Sequence, residues 1–120
     1  MSRTLGQQRA AYCLEMLKNL HCSRDEFKPL SAGLPSMILQ NGFGQTLAFL
    51  LAKGKDKHQA AFGIIANWLV ERNLLKADRP VEILFQINQM PQNQYLQAQR
   101  ETLAMLEWLK RYANAALFEG

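Results

Sequence analysis

Valine and threonine are scarce in this chain of 120 residues, which contains two valines and three threonines. Such residues are typical of strands, whereas the abundant Leu, Ala and Gln are good helix formers, so the composition favours helix. Long apolar runs are missing too: 48–52 and 64–70 fall far below the ~20 residues that a bilayer-spanning helix requires. We therefore expect no membrane span. Gln7, Gln8 and Arg9 stand where a secretory signal would need apolar residues, so we expect a cytoplasmic protein.

Cysteine is also rare, with only Cys13 and Cys22 in the chain. If both lie on the first predicted helix, they are about 13 Å apart on opposite faces and cannot form a disulfide. A reduced compartment fits this interpretation. The two cysteines together with His21 and His58 could be imagined as a zinc site, but they lack the paired short spacing of such sites, and we expect no metal.

Motifs for catalysis and for cofactor binding are absent from the sequence. We find no nucleophile with a recognisable base, no paired carboxylates of a cleft and no phosphate-binding G-x-x-x-x-G-K-[ST] loop. Gly42-Phe43-Gly44 lacks the preceding strand and the third glycine of a dinucleotide-binding fingerprint. We therefore predict a protein that is not an enzyme and binds no cofactor. An enzyme with an unrecognised site would instead show a deep polar pocket with converging titratable groups.

The apolar spacing predicts one all-α domain over residues 1–120, a bundle of about five to six helices. Two start signals stand out: a capping box at Ser23 to Glu26, and Asp56 as the cap of what we expect to be the central helix. Gly33 and Pro35 are expected to end or kink the second helix. The predicted helices cover about 4–21, 24–40 with that interruption, 43–53, 57–73, 80–88 and 95 to near the C-terminus.

Asn41-Gly42 separates two apolar stripes of helical spacing. Because Asn and Gly both tolerate a left-handed backbone, the pair can end one helix and begin the next with a fixed change of direction. We assign Asn41, Gly42 and Gly44 this structural role and favour a capping function for Asn41 and Gln45, with direct RNA contact as the alternative.

Most aromatic residues have helical spacing with aliphatic ones and are predicted to lie in the core. Tyr95 and Tyr112 are the two that we expect to be exposed. The predicted core set is Phe43, Phe49, Phe62, Trp68, Phe85 and Trp108.

The charge balance is moderately basic, with a formal net charge of +4 and a pI near 9.3. The basic residues form loose clusters that fit either a solvated surface or a nucleic-acid patch, since Asp56, Glu71 and Asp78 interrupt them. The clusters are Arg3 with Arg9; Lys53, Lys55 and Lys57 with His58; Arg72, Lys76 and Arg79; and Lys110 with Arg111.

The segment from Gly33 to Gly54, taken with Gln8-Arg9-Ala10 and Leu106 to Ala113, resembles the small all-helical subunit of type III-B CRISPR effector complexes, the Cmr complexes. The resemblance implies a non-catalytic subunit in antiviral defence. Several copies would stack beside the other Cmr subunits and help to hold guide and target RNA through phosphate contacts that do not read sequence.

By that resemblance Arg9, Lys53 and Arg111 are RNA-facing or interface residues. Charge alone adds Lys55, Lys57 and Lys110 to this set. The alternative is a helical protein–protein interaction module with an incidental basic surface. Retardation of unrelated single-stranded RNA at low salt would distinguish the two.

Overall fold

Six helices and no strand make up the part of the chain that the computed structural model describes, residues 2–119. The predicted all-α class is confirmed. The helices are α1 (Leu5–Lys18), α2 (Arg24–Asn41), α3 (Phe43–Lys53), α4 (Asp56–Glu71), α5 (Pro80–Gln89) and α6 (Gln92–Asn114).

One hydrophobic core joins the six helices. α6 packs against α1, α2 and α4, while α4 also packs against α2 and α3. The largest side chains that are completely buried come from every helix but α1 and from the segment after α4; they include Phe27, Phe43, Leu47, Ile65, Leu69, Leu75, Ile87 and Met105.

α1 is shorter than the sequence predicts, because it ends at Lys18 rather than near residue 21. The Asn19 side chain donates to the Glu15 carbonyl at 3.0 Å, and Arg24 donates to the Leu17 carbonyl at 2.7 Å, so carbonyls of the last turn are satisfied without further helix. Cys22 consequently lies outside α1. The prediction that it shares a helix with Cys13 is wrong; both are free thiols.

α2 runs without interruption through Pro29 and Pro35, so the helix does not end at Gly33 or Pro35 as one of the two predicted outcomes required. Each proline removes only one hydrogen bond from the helix, whereas a whole face of α2, including Phe27 and Leu34, is buried, largely against α6. Tertiary packing therefore outweighs the local preference. At the start of α2 the Ser23 hydroxyl accepts from the Glu26 amide at 3.3 Å, which is one half of the predicted capping box; within residues 2–119 the Glu26 carboxylate does not accept from the Ser23 amide in return.

Gly42 ends α2 and begins α3 with a φ of +93°, a conformation that side chains with a Cβ rarely adopt. Its amide donates to the Ile38 carbonyl at 2.8 Å, and its carbonyl accepts from the Thr46 amide and hydroxyl at 3.1 and 2.9 Å. The next glycine is held differently: the Gly44 amide donates to the Tyr95 hydroxyl at 2.9 Å. Tyr95 is half-buried by this contact rather than exposed as predicted.

Gly42→Val is expected to lower the free energy of unfolding by about 1–3 kcal/mol, because a β-branched residue at this φ strains the backbone. Thermal unfolding measures the loss. Gly33→Ala is the matched control, since Gly33 lies inside α2 and a Cβ there would meet nothing within 4 Å. The control should be neutral or slightly stabilising. A Gly42→Val protein that melts like wild type but binds RNA poorly would show that the glycine is functional.

Several further expectations need correction. α4 begins at Asp56 itself, with Lys55 as its N-cap, so Asp56 acts in the first turn and not as the cap. Phe85 and Trp108 are exposed and not in the core, because each lies at the edge of the apolar stripe of its helix. Tyr112 is half-buried, and Leu117, beyond the end of α6, is exposed.

The contacts between helices fix which ends meet. α1 and α6 are parallel, since Arg9 pairs with Glu101 and the Cys13 thiol contacts the Met105 carbonyl at 3.5 Å. α2 is antiparallel to α6, because Lys28 near the start of α2 pairs with Glu119 at 2.8 Å. The ends of α1 and α6 and the start of α2 therefore lie together. The start of α4 and the α3–α4 turn join them, because Asp56 and Gln59 line one groove with residues 20–22. We call this the basic end, defined as residues 17–28, 53–60 and 108–119.

Candidate nucleic-acid interface

Three lysines surround the turn between α3 and α4. Gly54 adopts a left-handed conformation (φ +65°) and its amide donates to the Leu50 carbonyl at 3.2 Å, which ends α3. Because α4 starts only two residues later, Lys53, Lys55 and Lys57 are brought close together. Lys53 and Lys55 are exposed and Lys57 is half-buried. Among residues 2–119 no carboxylate forms an ion pair with any of the three, so their charge is available to an anion.

His58 lies beneath the three lysines, with only 6% of the residue exposed. Its ring meets the edge of Phe49, with 5.7 Å between centroids, and within the described chain Nδ1 has no hydrogen-bond partner. Burial lowers the pKa of His58, and the charges of Lys57, Lys53 and Lys55 lower it further. The imidazole is therefore neutral at pH 7, and the positive charge of this surface comes from the lysines.

Stability is expected to fall as the pH is lowered from 7.5 to 5.5. Since the folded-state pKa of His58 lies below the ordinary value of 6.5, its contribution is complete above that value and decreases below it, where the unfolded chain binds the proton more readily. Unfolding free energies at the two pH values measure this. His58→Phe should reduce the pH dependence, because it removes the buried imidazole and fills its space with an apolar ring. Equal slopes for wild type and His58→Phe would contradict the assignment.

Lys110 and Arg111 lie near the end of α6 and so belong to the same basic end. Arg111 is exposed, whereas Lys110 is paired with Glu107 at 3.2 Å. The fold adds Lys18 and Arg24, which sequence reasoning missed because no local signal places the α1–α2 connection beside the ends of α3 and α6.

Arg9 lies elsewhere, in an internal ion pair. Its guanidinium donates twice to Glu101, at 2.7 and 2.9 Å, and the Trp68 indole donates to the same carboxylate at 3.0 Å. The side chains are only 20% and 12% exposed. The hydrogen bond from Arg9 holds the pKa of Glu101 below its usual value of 4.5, so the pair stabilises the fold above that pH and loses this effect below it. Arg9 is already neutralised, and we leave it out of the candidate surface.

The remaining predicted basic cluster, Arg72, Lys76 and Arg79, lies between the end of α4 and the start of α5. The residues on either side of Arg79, Asp78 and Pro80, line one groove with Leu51 and Gln59, beside the α3–α4 turn. Arg79 is paired with Glu82, and Arg72 lies over the Trp68 ring, 5.9 Å from its centroid. Arg79 therefore lies near the α3–α4 turn but is already paired, and we leave this cluster out of the basic end.

The histidines and cysteines do not converge. Cys13 is buried in the core, where burial raises the pKa of its thiol to about 12, whereas His21 and Cys22 line a groove between α1 and α4. Within residues 2–119 no three His, Cys, Asp or Glu side chains form a group that could hold a metal ion.

Over the same residues, every helix is too short or too polar to cross a membrane.

Residues 2–119 thus form an all-α bundle with a cluster of lysines, unpaired within that range, at one end. Comparison with known proteins narrows the class of protein further. A family model described as CRISPR-associated protein (Cas_Cmr5) matches residues 5–116. The chain belongs to this family.

Named relatives agree with this assignment. The chain is 36% identical over 99 residues to the CRISPR system Cmr subunit Cmr5 of Thermus thermophilus, covering 80% of this chain and 79% of that protein. It is 31% identical over 116 residues to the Cmr subunit Cmr5 of Thermotoga maritima, covering 96% and 86%. The crystal structure of a Cmr5 family protein from Thermus thermophilus matches with a TM-score of 0.80 at 30% identity, covering 97% of this chain and 99% of that one.

Proposed function

We propose that this chain is a non-catalytic subunit of a CRISPR Cmr complex and that its basic end binds RNA phosphates without reading sequence. The observation that supports this most strongly is the cluster of Lys53, Lys55 and Lys57, which have no carboxylate partner within the described chain. Exposed ammonium groups on flexible stems suit phosphates in many positions, and they contact no particular base. Guide and target RNA are therefore the proposed ligands.

Other Cmr subunits and further copies of this chain, stacked beside it, are the proposed protein partners. Exposed apolar side chains support this part of the proposal: Leu39 on α2, and Val81 and Phe85 on α5. Such residues fit a protein contact better than an RNA contact because apolar groups gain most from burial against other apolar surface. The same observation favours the second candidate function, an interaction module whose basic surface is incidental.

The purified chain should bind single-stranded RNA weakly and with equal affinity for unrelated sequences. If three or four phosphates are neutralised, the logarithm of the binding constant should fall against the logarithm of the salt concentration with a slope of about −2 to −3, since each contact contributes roughly −0.7 for single strands. Titration of two unrelated oligonucleotides at several salt concentrations measures both properties. A flat slope, strong preference for one sequence, or no binding at low salt would favour the interaction module.

A further inference from the structure

The C-terminal half of α6 presents aromatic side chains at the basic end. Trp108 is 36% exposed, although a tryptophan of a small bundle ordinarily fills the core, as Trp68 does here. The rings of Trp108 and Tyr112 are 5.7 Å apart between centroids with an angle of 40° between their planes. Residues four apart lie on the same face of a helix, so the two rings form one partly open aromatic surface.

Cations accompany these rings. Arg111 lies three residues after Trp108, on the same side of α6, and is exposed. Tyr112 and Phe118 line one narrow groove together with Arg24, whose guanidinium lies over the Phe118 ring, 5.9 Å from its centroid. Aromatic rings and guanidinium groups therefore lie side by side on this surface.

Ion pairs involve two of the four carboxylates near this surface; the other two, Asp25 and Glu26, follow Arg24 in the chain and are exposed with no cation partner among residues 2–119. Glu107 is paired with Lys110 and Glu119 with Lys28, at 3.2 and 2.8 Å. No carboxylate of residues 2–119 pairs with Arg24 or Arg111. Phe85 on α5 is also an exposed aromatic residue, but its charged helix neighbour is the acidic Glu82, three residues earlier, whereas that of Trp108 is the basic Arg111.

We infer that Trp108 and Tyr112 form a stacking platform for a nucleobase of single-stranded RNA, with Arg111 contacting an adjacent phosphate. Every base has a π face, so stacking adds affinity without adding sequence preference. Arg111 favours RNA over an apolar protein surface as the occupant, since burying its guanidinium, which no carboxylate of residues 2–119 pairs, against apolar protein would be unfavourable. The inference rests on the proposed RNA binding and adds to it a contact with the bases.

The test compares two 15-nucleotide single strands with equal numbers of phosphates, one an RNA of mixed sequence and the other abasic throughout. Wild type should bind the RNA more tightly than the abasic strand. Trp108→Ala should weaken binding of the RNA by about 5- to 150-fold, the range for loss of one stacked base, and leave binding of the abasic strand and the salt slope unchanged. Trp108→Tyr should recover most of the loss. Phe85→Ala, at a residue that is 63% exposed away from these cations, is the matched control and should bind both strands as wild type does.

Each result decides between the two proposals. If wild type binds the RNA and Trp108→Ala binds it equally well, the platform is wrong and the proposed function stands. Equal losses on both strands would also overturn stacking, because they would assign Trp108 to positioning the cations. Loss of association with other Cmr subunits at unchanged RNA affinity would make Trp108 a protein contact. Failure of wild type to bind either strand at low salt would overturn the proposed function and the platform with it.

Discussion

Glu101→Ala is expected to destabilise the fold by about 3 kcal/mol, because it leaves the Arg9 guanidinium and the Trp68 indole without their acceptor in a mostly buried position. For a chain of this length, such a loss corresponds to a drop of about 10 °C in Tm. The carboxylate joins α1, α4 and α6, so the loss should appear in global unfolding rather than in one frayed helix. Chemical denaturation with fitted unfolding free energies is the measurement.

The double variant Arg9→Met/Glu101→Leu is the control for this prediction. It removes both charges and fills their space with apolar side chains. Its loss of unfolding free energy should therefore be smaller than the sum of the losses in the single variants Arg9→Met and Glu101→Leu. Strict additivity would mean that the two side chains do not stabilise the fold as a pair. RNA affinity should be unchanged in these variants under conditions where they are folded, since neither residue belongs to the basic end.

Helix identity was largely predictable from the sequence because the apolar stripes and the glycine breaks are local signals. Gly42 and Gly54 separate α2, α3 and α4 where the sequence indicates. The errors have a different origin. Pro35 is tolerated inside α2 because the fold buries that face of the helix, and α1 ends early because Arg24, from the next helix, caps one of its carbonyls.

The candidate site was likewise predictable from the sequence only where its residues are neighbours in the chain. Lys53, Lys55 and Lys57 are neighbours in the sequence, so their cluster was visible before the fold. The partner of Arg9 lies 92 residues away, and sequence spacing cannot reveal such a pair. Trp108 and Phe85 lie at the edges of apolar stripes, where periodicity alone does not distinguish core from surface.

Removing the cations of the basic end that are unpaired within residues 2–119 is expected to lower RNA affinity more than any other proposed substitution. Lys53, Lys55, Lys57 and Arg111 are changed together to alanine. Each lost phosphate contact should make the salt slope shallower by roughly 0.7, with similar losses of affinity for unrelated RNA sequences. Each of the four side chains, being without an ion pair within the described chain, should contribute less than about 0.5 kcal/mol to folding.

A charge-matched variant makes this comparison specific to position. Arg3, Lys76, Arg79 and Arg100 are exposed, and changing them to alanine also removes four positive charges. RNA titrations of wild type and of both variants over a range of salt concentrations, each beside a melting curve, test the central claim most directly. The account predicts a much weaker and less salt-dependent interaction for the basic-end variant than for the matched variant. Equal affinities for the two variants, both with native melting curves, would contradict RNA binding at the basic end.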